Sequence, residues 1–371
     1  MTAELVQHFR SQLTPMLAEL QELVEAESPS RDMVAVSTCA VLLSDMGARL
    51  LGVGPERVVV DGRVHLRWRV GSPKVAVLCH FDTVWPVGTI QRMPFRVEGG
   101  RAFGPGVFDM KASLVQAFHA LGQQPTLDGI ELLVTSDEEI GSPTSRPMIE
   151  ALARRVEAAL VVEPSHGGAL KIGRKGVGMY RLQITGRAAH AGFPNEGINA
   201  TVELAHQVLA IAALARDEIG TTVTPTVAAA GTTNNVVPSS AHVDIDVRAP
   251  NAAEQDRVDA ALRNLTPAVQ GTQLELGGGP NRPPLEPSST AALFALAVRA
   301  ARELGLGELE GAFVGGASDG NFTAAVGAQT LDGLGPVGDG AHADHEHIVV
   351  STLPERTALL AALVGELLKT R

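Results

Sequence analysis

The 371-residue sequence predicts an α/β protein into which a smaller α+β domain is inserted. Three observations predict it. Short apolar runs with little polar alternation, such as Val75–Leu78 and Ala158–Val162, alternate with helical patterns, as expected of a sheet buried on both faces. Past Gly176 the strand candidates Val177–Thr185 and Ala241–Arg248 alternate apolar and polar residues instead, which fits a half-exposed sheet. After the stretch Gly277–Pro284 the first style returns.

Taken in chain order, Leu5, Phe9, Leu13, Leu17, Leu20 and Val24 recur at helical spacing, so residues 1 to about 52 read as helices. Strand candidates follow at Arg57–Val60, Val64–Val70 and Val75–Leu78. Gly129–Thr135 reads as a strand, Thr144–Leu152 as a helix and Ala158–Val162 as a strand. The next segment runs strand, helix (Ile198–Ala215), β-branched strand (Thr221–Ala230), strand, helix (Ala252–Leu265) and strand. That order is the split βαβ, ferredoxin-like pattern. Gly277–Pro284 (GGGPNRPP) reads as a linker, and Ala291–Leu304 as a helix. The expected domains are 1–176 with 285–371, and an inserted 177–284.

The net charge is −11, from 30 basic and 41 acidic residues, which argues against a nucleic-acid partner. No apolar stretch reads as the ~18–20 residues that cross a bilayer, so no membrane partner is expected. The amino terminus reads as an amphipathic helix and not as a signal peptide. With only Cys39 and Cys79 there is no disulfide framework, and a reduced, cytoplasmic setting is the simpler expectation.

Chemistry-bearing residues gather where apolar runs end. Val75–Cys79 runs into His80-Phe-Asp82, and the Gly-rich Gly104–Lys111 delivers Asp109. Ile130–Thr135 runs into Asp137-Glu138-Glu139, and Leu160–Val162 into Glu163. Near the carboxyl terminus stand His342, His345, Glu346 and His347. A single acid at a strand end is usually just solvated, and a lone histidine is usually structural. Several together at the carboxyl edge of one sheet can converge on a point. Imidazoles and carboxylates without thiolates suit zinc or a similar divalent ion, and a carboxylate cluster needs such a cation against its own repulsion.

His80-Phe-Asp82, Gly104–Lys111 and Asp137-Glu138-Glu139-Ile-Gly141 resemble the M20 family of dinuclear zinc peptidases and deacylases. The resemblance continues through Pro94-Phe-Arg-Val-Glu-Gly, Gly186-Arg-Ala-Ala-His190-Ala-Gly, Asn235-Val-Val-Pro, Asp246-Val-Arg248, Gly315-Gly-Ala-Ser-Asp-Gly320 and Gly340-Ala-His342, over nearly the whole chain. Within the family the glutamate carboxypeptidases are most similar. The resemblance implies a zinc-peptidase-like catalytic domain with a mixed central sheet, and an inserted lid or dimerisation domain. It implies two Zn2+ ions, with Co2+ or Mn2+ as substitutes. Asp109 would bridge them, His80 and Glu163 would complete one site, and Glu139 and His342 the other. His345 and His347 stay open as alternatives to His342. Glu138 would be the general base, and Asp82 would hydrogen-bond the His80 imidazole. His190 would assist the oxyanion across a homodimer.

For the substrate, the resemblance implies that Arg248, Asn235, Gly315 and Gly316 hold a free carboxylate. Lys171 is either a side-chain cation for an acidic substrate or an ordinary solvated lysine. Met110 stands where the most similar members carry a second acid, which weakens the glutamate label more than the metal site. The expected activity is hydrolysis of an amide to release an amino acid with a free α-carboxylate. The alternatives are an N-acyl amino acid deacylase, such as acetylornithine or succinyl-diaminopimelate deacylase, or a non-catalytic binding protein on the same scaffold.

Overall fold

The computed structural model describes residues 3–369. The chain divides into two compact units: Met1–Gly173 with Pro287–Phe313 and Ser318–Arg371, and Arg174–Glu286 with Val314–Ala317.

The larger unit is the expected α/β part. Its five-stranded sheet comprises Glu56–Val60, Arg63–His80, Asp128–Thr135, Ala158–Val161 and Gln329–Leu331. The expected strands Val64–Val70 and Val75–Leu78 are one continuous element, Arg63–His80, bent at Gly71, where φ is 64°. The two halves embrace Asp128–Thr135. One runs against it, from Leu66 opposite Val134 to Val70 opposite Asp128, and the other runs with it, from Val75 opposite Ile130 to His80 opposite Thr135. Both faces are covered, which is why these strands lack polar alternation. Helix Ala112–Gly122 lies deep in the core beneath this sheet, with Phe118 edge-on to Trp68 at 5.3 Å.

Helix Met33–Leu51 corrects one expectation. It has nineteen residues and is apolar enough to cross a bilayer by length and composition. Its capping is that of an ordinary helix: the Asp32 carboxylate accepts from Val34 N and Ala35 N at 3.0 Å each, and Gly52 ends it in the left-handed region. Val36, Cys39, Ala40, Leu43, Met46 and Gly47 form one buried stripe against the core. Its apolarity is therefore accounted for by one-sided packing in the larger unit.

The smaller unit is a four-stranded antiparallel sheet in the order Thr222–Ala230, Ser240–Ala249, Gly176–Thr185, Gln273–Arg282. Two helices pack on it, Ala200–Ala212 and Ala252–Arg263, capped by Asn199 and Asn251. The alternation seen in sequence is the burial pattern: Tyr180, Leu182 and Ile184 face the helices, and Met179 and Arg181 face out. The expected linker Gly277–Pro284 is mostly strand, since Gln273–Arg282 pairs with Gly176–Thr185 as far as Arg282 opposite Val177. An outer strand tolerates this composition. Pro280 needs no donor on its free side, and Gly278, at φ 84°, passes where a Cβ would lie 2.2 Å from Met179 O. The opposite outer strand likewise carries Pro225 at a register shift.

Two expectations follow from packing and charge. A Cβ on Gly47 would lie 2.4 Å from Trp68 Cζ2 and 3.0 Å from Phe118 Cε1. Overpacking costs about 1–3 kcal/mol, against about 1 kcal/mol of helix propensity gained over glycine. Gly47→Ala should therefore lower stability in denaturant titration despite the better helix former.

In the smaller unit, Glu254 accepts from Arg257, Thr221 and Arg216 at 2.7–3.0 Å. Arg257 above all holds its pKa down to about 2, against the opposing effect of burial. Because the folded pKa is depressed, the stabilisation is complete above the unfolded value and fades as pH falls through the folded one. The difference in unfolding free energy between wild type and Glu254→Gln should be largest above about pH 4.5 and close towards pH 2.

Candidate metal centre

Register in the large sheet sets three segments side by side. His80 lies opposite Thr135, Leu78 lies opposite Val161, and the parallel strands end together. The residues that follow emerge at one carboxyl edge: His80 and Asp82, then Glu138 and Glu139 on a 3-10 turn, then Glu163. A second sheet in the same unit delivers the rest. Its strands run in the order Gly338–Asp339, His347–Val349, Arg101–Phe103, Arg96–Glu98, with His347 opposite Phe103. Past Phe103 the chain turns through Gly104 and Gly106 to Asp109, and ahead of His347 the turn Gly340–Glu346 carries His342.

The side chains meet. His80 Nε2 lies 3.3 Å from Asp109 Oδ1 and 3.4 Å from Glu163 Oε1. His342 Nε2 lies 3.5 Å from Asp109 Oδ2 and 3.2 Å from Glu139 Oε2. Asp109 thus stands between two imidazoles through its two different oxygens. His80 is 2 % exposed, whereas the His342 side chain is 50 % exposed, so one imidazole is at the floor and the other at the mouth. His342 adopts φ 63°, an uncommon conformation for a residue with a Cβ.

The residues behind the cluster orient it. His80 Nδ1 donates to Asp82 O at 3.0 Å, which leaves Nε2 to face Asp109 and Glu163. The Asp82 carboxylate, expected to hold that imidazole, lies 3.5 Å from Nδ1 and chiefly accepts elsewhere: from Ser30 Oγ at 2.7 Å and from Glu138 N and Glu139 N at 3.2 Å each. Asp137 anchors the same turn, accepting from Thr144 and Ser145. Asp137 was visible in the sequence only as part of the Asp137-Glu138-Glu139 run, with no role of its own, and Ser30 not at all, because loop serines are too common to be a signal.

Charge is strained in this cluster. Burial opposes a charged His80, but Asp109, Asp82 and Glu163 outweigh it and lift its pKa well above the usual value. Asp109 and Glu139 raise His342 to about 10. Burial, together with Asp109, pushes Glu139 up to about 7 against the pull of the histidines. Burial would also raise Asp109, but the neighbouring imidazoles of His342 and His80 hold it below the usual carboxylate range.

A divalent cation fits this donor set. Ligand atoms of His80, Asp109 and Glu139 lie within 4.8 Å of one another, and so do those of His80, Glu138 and Glu163. Buried Asp109 Oδ1 receives no hydrogen bond of proper geometry even with His80 Nε2 at 3.3 Å. A divalent cation there would take a lone pair from Asp109 Oδ1 and, once the imidazole gives up its proton, one from His80 Nε2.

Of the three candidate histidines, His342 is the one whose Nε2 lies within 3.5 Å of Asp109 and Glu139. His347 Nδ1 donates to His345 O and its ring packs against Phe103, while His345 is exposed. Lys171 lies in the larger unit, its backbone N donating to Asp332 O at 2.9 Å. The other expected substrate residues belong to the smaller unit. His190 and Asn235 are neighbours there: Ala189–His190 pairs with Val236–Val237, and Ala191 N donates to Asn235 O at 2.9 Å. His190 is exposed, with Nδ1 accepting from Gly192 N. Arg248 is not an open fork, for Asp246 already closes it through bonds of 2.8 and 2.9 Å. Gly315 has open space around its Cα, and Gly316 O accepts from Arg174.

The chain is also similar to known proteins. The profile described as Peptidase family M20/M25/M40 matches residues 76–366. Carboxypeptidase G2 of a Pseudomonas species is 30 % identical over 95 % of this chain and 89 % of its own. A succinyl-diaminopimelate desuccinylase of an Azoarcus species is 32 % identical over 94 % of this chain and 99 % of its own. Among solved structures, an M20 family metallo-carboxypeptidase from Sulfolobus solfataricus has a TM-score of 0.72 at 17 % identity, covering 94 % of this chain and 98 % of that one. An aminopeptidase from Bacillus cereus has a TM-score of 0.74 at 21 % identity, covering 96 % of this chain and 99 % of that one. At those identities the structures show the fold.

Metal uptake should displace protons. In the metal-free protein His80 and His342 are held protonated, and a ligating imidazole must be neutral. Titration of metal-free protein with zinc should give a heat that varies with the ionisation enthalpy of the buffer. Affinity should rise with pH and keep rising towards about pH 10, where His342 loses its proton. Heats identical in every buffer would show that these imidazoles are not the ligands.

Proposed function

The chain belongs to the peptidase family M20/M25/M40 and is a metal-dependent hydrolase, and on that premise we propose that it cleaves the amide bond of a small acyl-amino acid or peptide whose amino-acid part carries a free carboxylate. The observation that carries this reading is the convergence of His80, Asp109, Glu139, Glu163 and His342 at one sheet edge, with Glu138 beside them.

In this reading Asp109 would be shared by two Zn2+ ions, one of which His80 and Glu163 would hold and the other Glu139 and His342. Bound there, such ions would lower the pKa of water from 15.7 towards ~7 and polarise a carbonyl. The chain's own groups do the remaining work. Glu138, its backbone N fixed by Asp82, takes a proton from the attacking water and returns it to the leaving amine. Glu139 points to His342 instead, so the adjacent acids divide the two tasks.

His190 is the donor for the developing oxyanion, and Asn235 beside it shares the polar contacts to substrate. Arg248 holds the substrate carboxylate by exchanging Asp246 for it, a swap between two bidentate carboxylate partners. Gly315 and Gly316 add backbone contacts, and Lys171 is the cation for an acidic side chain. The reading includes a homodimer formed through the smaller unit. It also includes a reducing, cytoplasmic setting, in keeping with two free and buried cysteines.

A glutamate-releasing carboxypeptidase and an N-succinyl or N-acetyl deacylase are the two specific forms of this activity. Each has a relative at about the same identity: 30 % for the carboxypeptidase and 32 % for the desuccinylase. A panel of aroyl-glutamate, dipeptide, N-acetyl and N-succinyl amino acids, assayed on zinc-reconstituted protein, separates them by kcat/KM. No turnover of any amide at full metal loading would defeat the proposal.

Glu138→Gln should keep its metal and lose about 10²–10⁴-fold in kcat on whichever substrate is cleaved. Turnover equal to wild type would remove Glu138 from the mechanism.

A further inference from the structure

None of the assignments above uses Glu346, although it is 1 % exposed and sits four residues after His342. Its carboxylate is saturated with donors. Oε1 accepts from Phe108 N at 2.9 Å and from Asp109 N at 3.0 Å. Oε2 accepts from Gly106 N at 2.9 Å and from Trp85 Nε1 at 2.7 Å. Four acceptor sites are about the full capacity of an ionised carboxylate. Three of the donors are main-chain groups of the single turn that carries Asp109.

The other end of Glu346 is equally tied. Its backbone N donates to Ala343 O at 2.9 Å, and Ala343 N donates to Gly340 O at 2.8 Å, which closes the turn that presents His342. Gly340 is tight against it, since a Cβ there would lie 2.9 Å from Glu346 N. One side chain therefore clamps the Asp109 turn while its own backbone belongs to the His342 turn. The arrangement has an electrostatic cost. It buries a second negative charge beside Asp109, which a neutral acceptor would avoid and which a bound cation would relieve.

We propose that Glu346 is a positioning residue that fixes Asp109 and His342 relative to each other, so that the cation site is formed before a cation arrives. The inference rests on the reading of this cluster as a metal centre, not on which amide is cleaved. Glutamine tests it sharply: whichever way the amide is turned, its NH2 replaces one oxygen and confronts two N–H donors.

The experiment compares wild type, Glu346→Gln and Glu346→Asp. Zinc affinity of the metal-free proteins is measured by competition with a chelator, the absorption spectrum is recorded with cobalt bound, and thermal unfolding is followed without metal. Glu346→Gln should weaken zinc binding roughly 10–100-fold and alter the cobalt spectrum, with partial recovery in Glu346→Asp. On any substrate found, kcat should fall with KM within about twofold, as expected when groups acting in the transition state are misplaced.

Wild-type affinity and an unchanged cobalt spectrum in Glu346→Gln would overturn the proposal, even if the variant melts earlier. Should Glu346→Gln not fold, Glu346→Asp decides alone, because it keeps the charge but shortens the reach by one methylene; wild-type affinity and spectrum in that variant would overturn the proposal as well. If wild type binds zinc but cleaves no amide, the functional reading falls, while the affinity comparison still decides the role of Glu346.

Discussion

Like charges gathered in a place that excludes water constrain everything else in the larger unit. Asp109, Glu138, Glu139 and Glu163 lie close together at the edge of a buried sheet, with the imidazoles of His80 and His342 set among them. In water such a group would simply separate. Here each acid is anchored by its own element, and protonation shifts instead: burial, then Asp109, lifts Glu139 to about 7, and Asp109 and Glu139 lift His342 to about 10. A pair of imidazoles half-neutralises the cluster, and divalent cations of the kind the family uses would complete the task.

The architecture brings these anchors together with two sheets of different character. Long parallel pairing aligns His80, Glu138, Glu139 and Glu163 through the register of apolar strands, and that alignment is as rigid as the core beneath it. Asp109 and His342 come instead from a sheet whose strands are two or three residues long. Pairing that brief fixes little by itself. The hydrogen bonds that Glu346 accepts supply the missing restraint between the two turns.

The division also explains what was legible in the sequence. The apolar runs ending in His80, Thr135 and Val162 were visible because a sheet buried on both faces demands continuous Val, Leu and Ile, and the acids after them stand out by contrast. The strands around Phe103 and His347 were not visible, because so few residues carry no periodicity. Glu346 stood in the sequence only as one more acid among the histidines near the carboxyl terminus, since nothing in a sequence shows that an acid will find four N–H groups. The stretch Gly277–Pro284 misled for a related reason. Glycine and proline usually break structure, but an outer strand presents one side without partners and there tolerates both. Met33–Leu51 was legible as a helix, while its length and apolarity on their own would also suit a bilayer; what the fold adds is that one stripe of it packs against the core of the larger unit.

Pro280 and Pro225 have a consequence beyond local geometry. The two outer strands of the smaller unit's sheet leave rims of main-chain donors and acceptors, which in most proteins invite stacking of stray extended chains. Each rim is interrupted by a residue with no N–H to offer, and each ladder slips by one position beside it, at Pro225/Val227 and at Pro280/Arg282. A sheet notched on both borders is a poor template for the continuous main-chain pairing on which fibre growth depends.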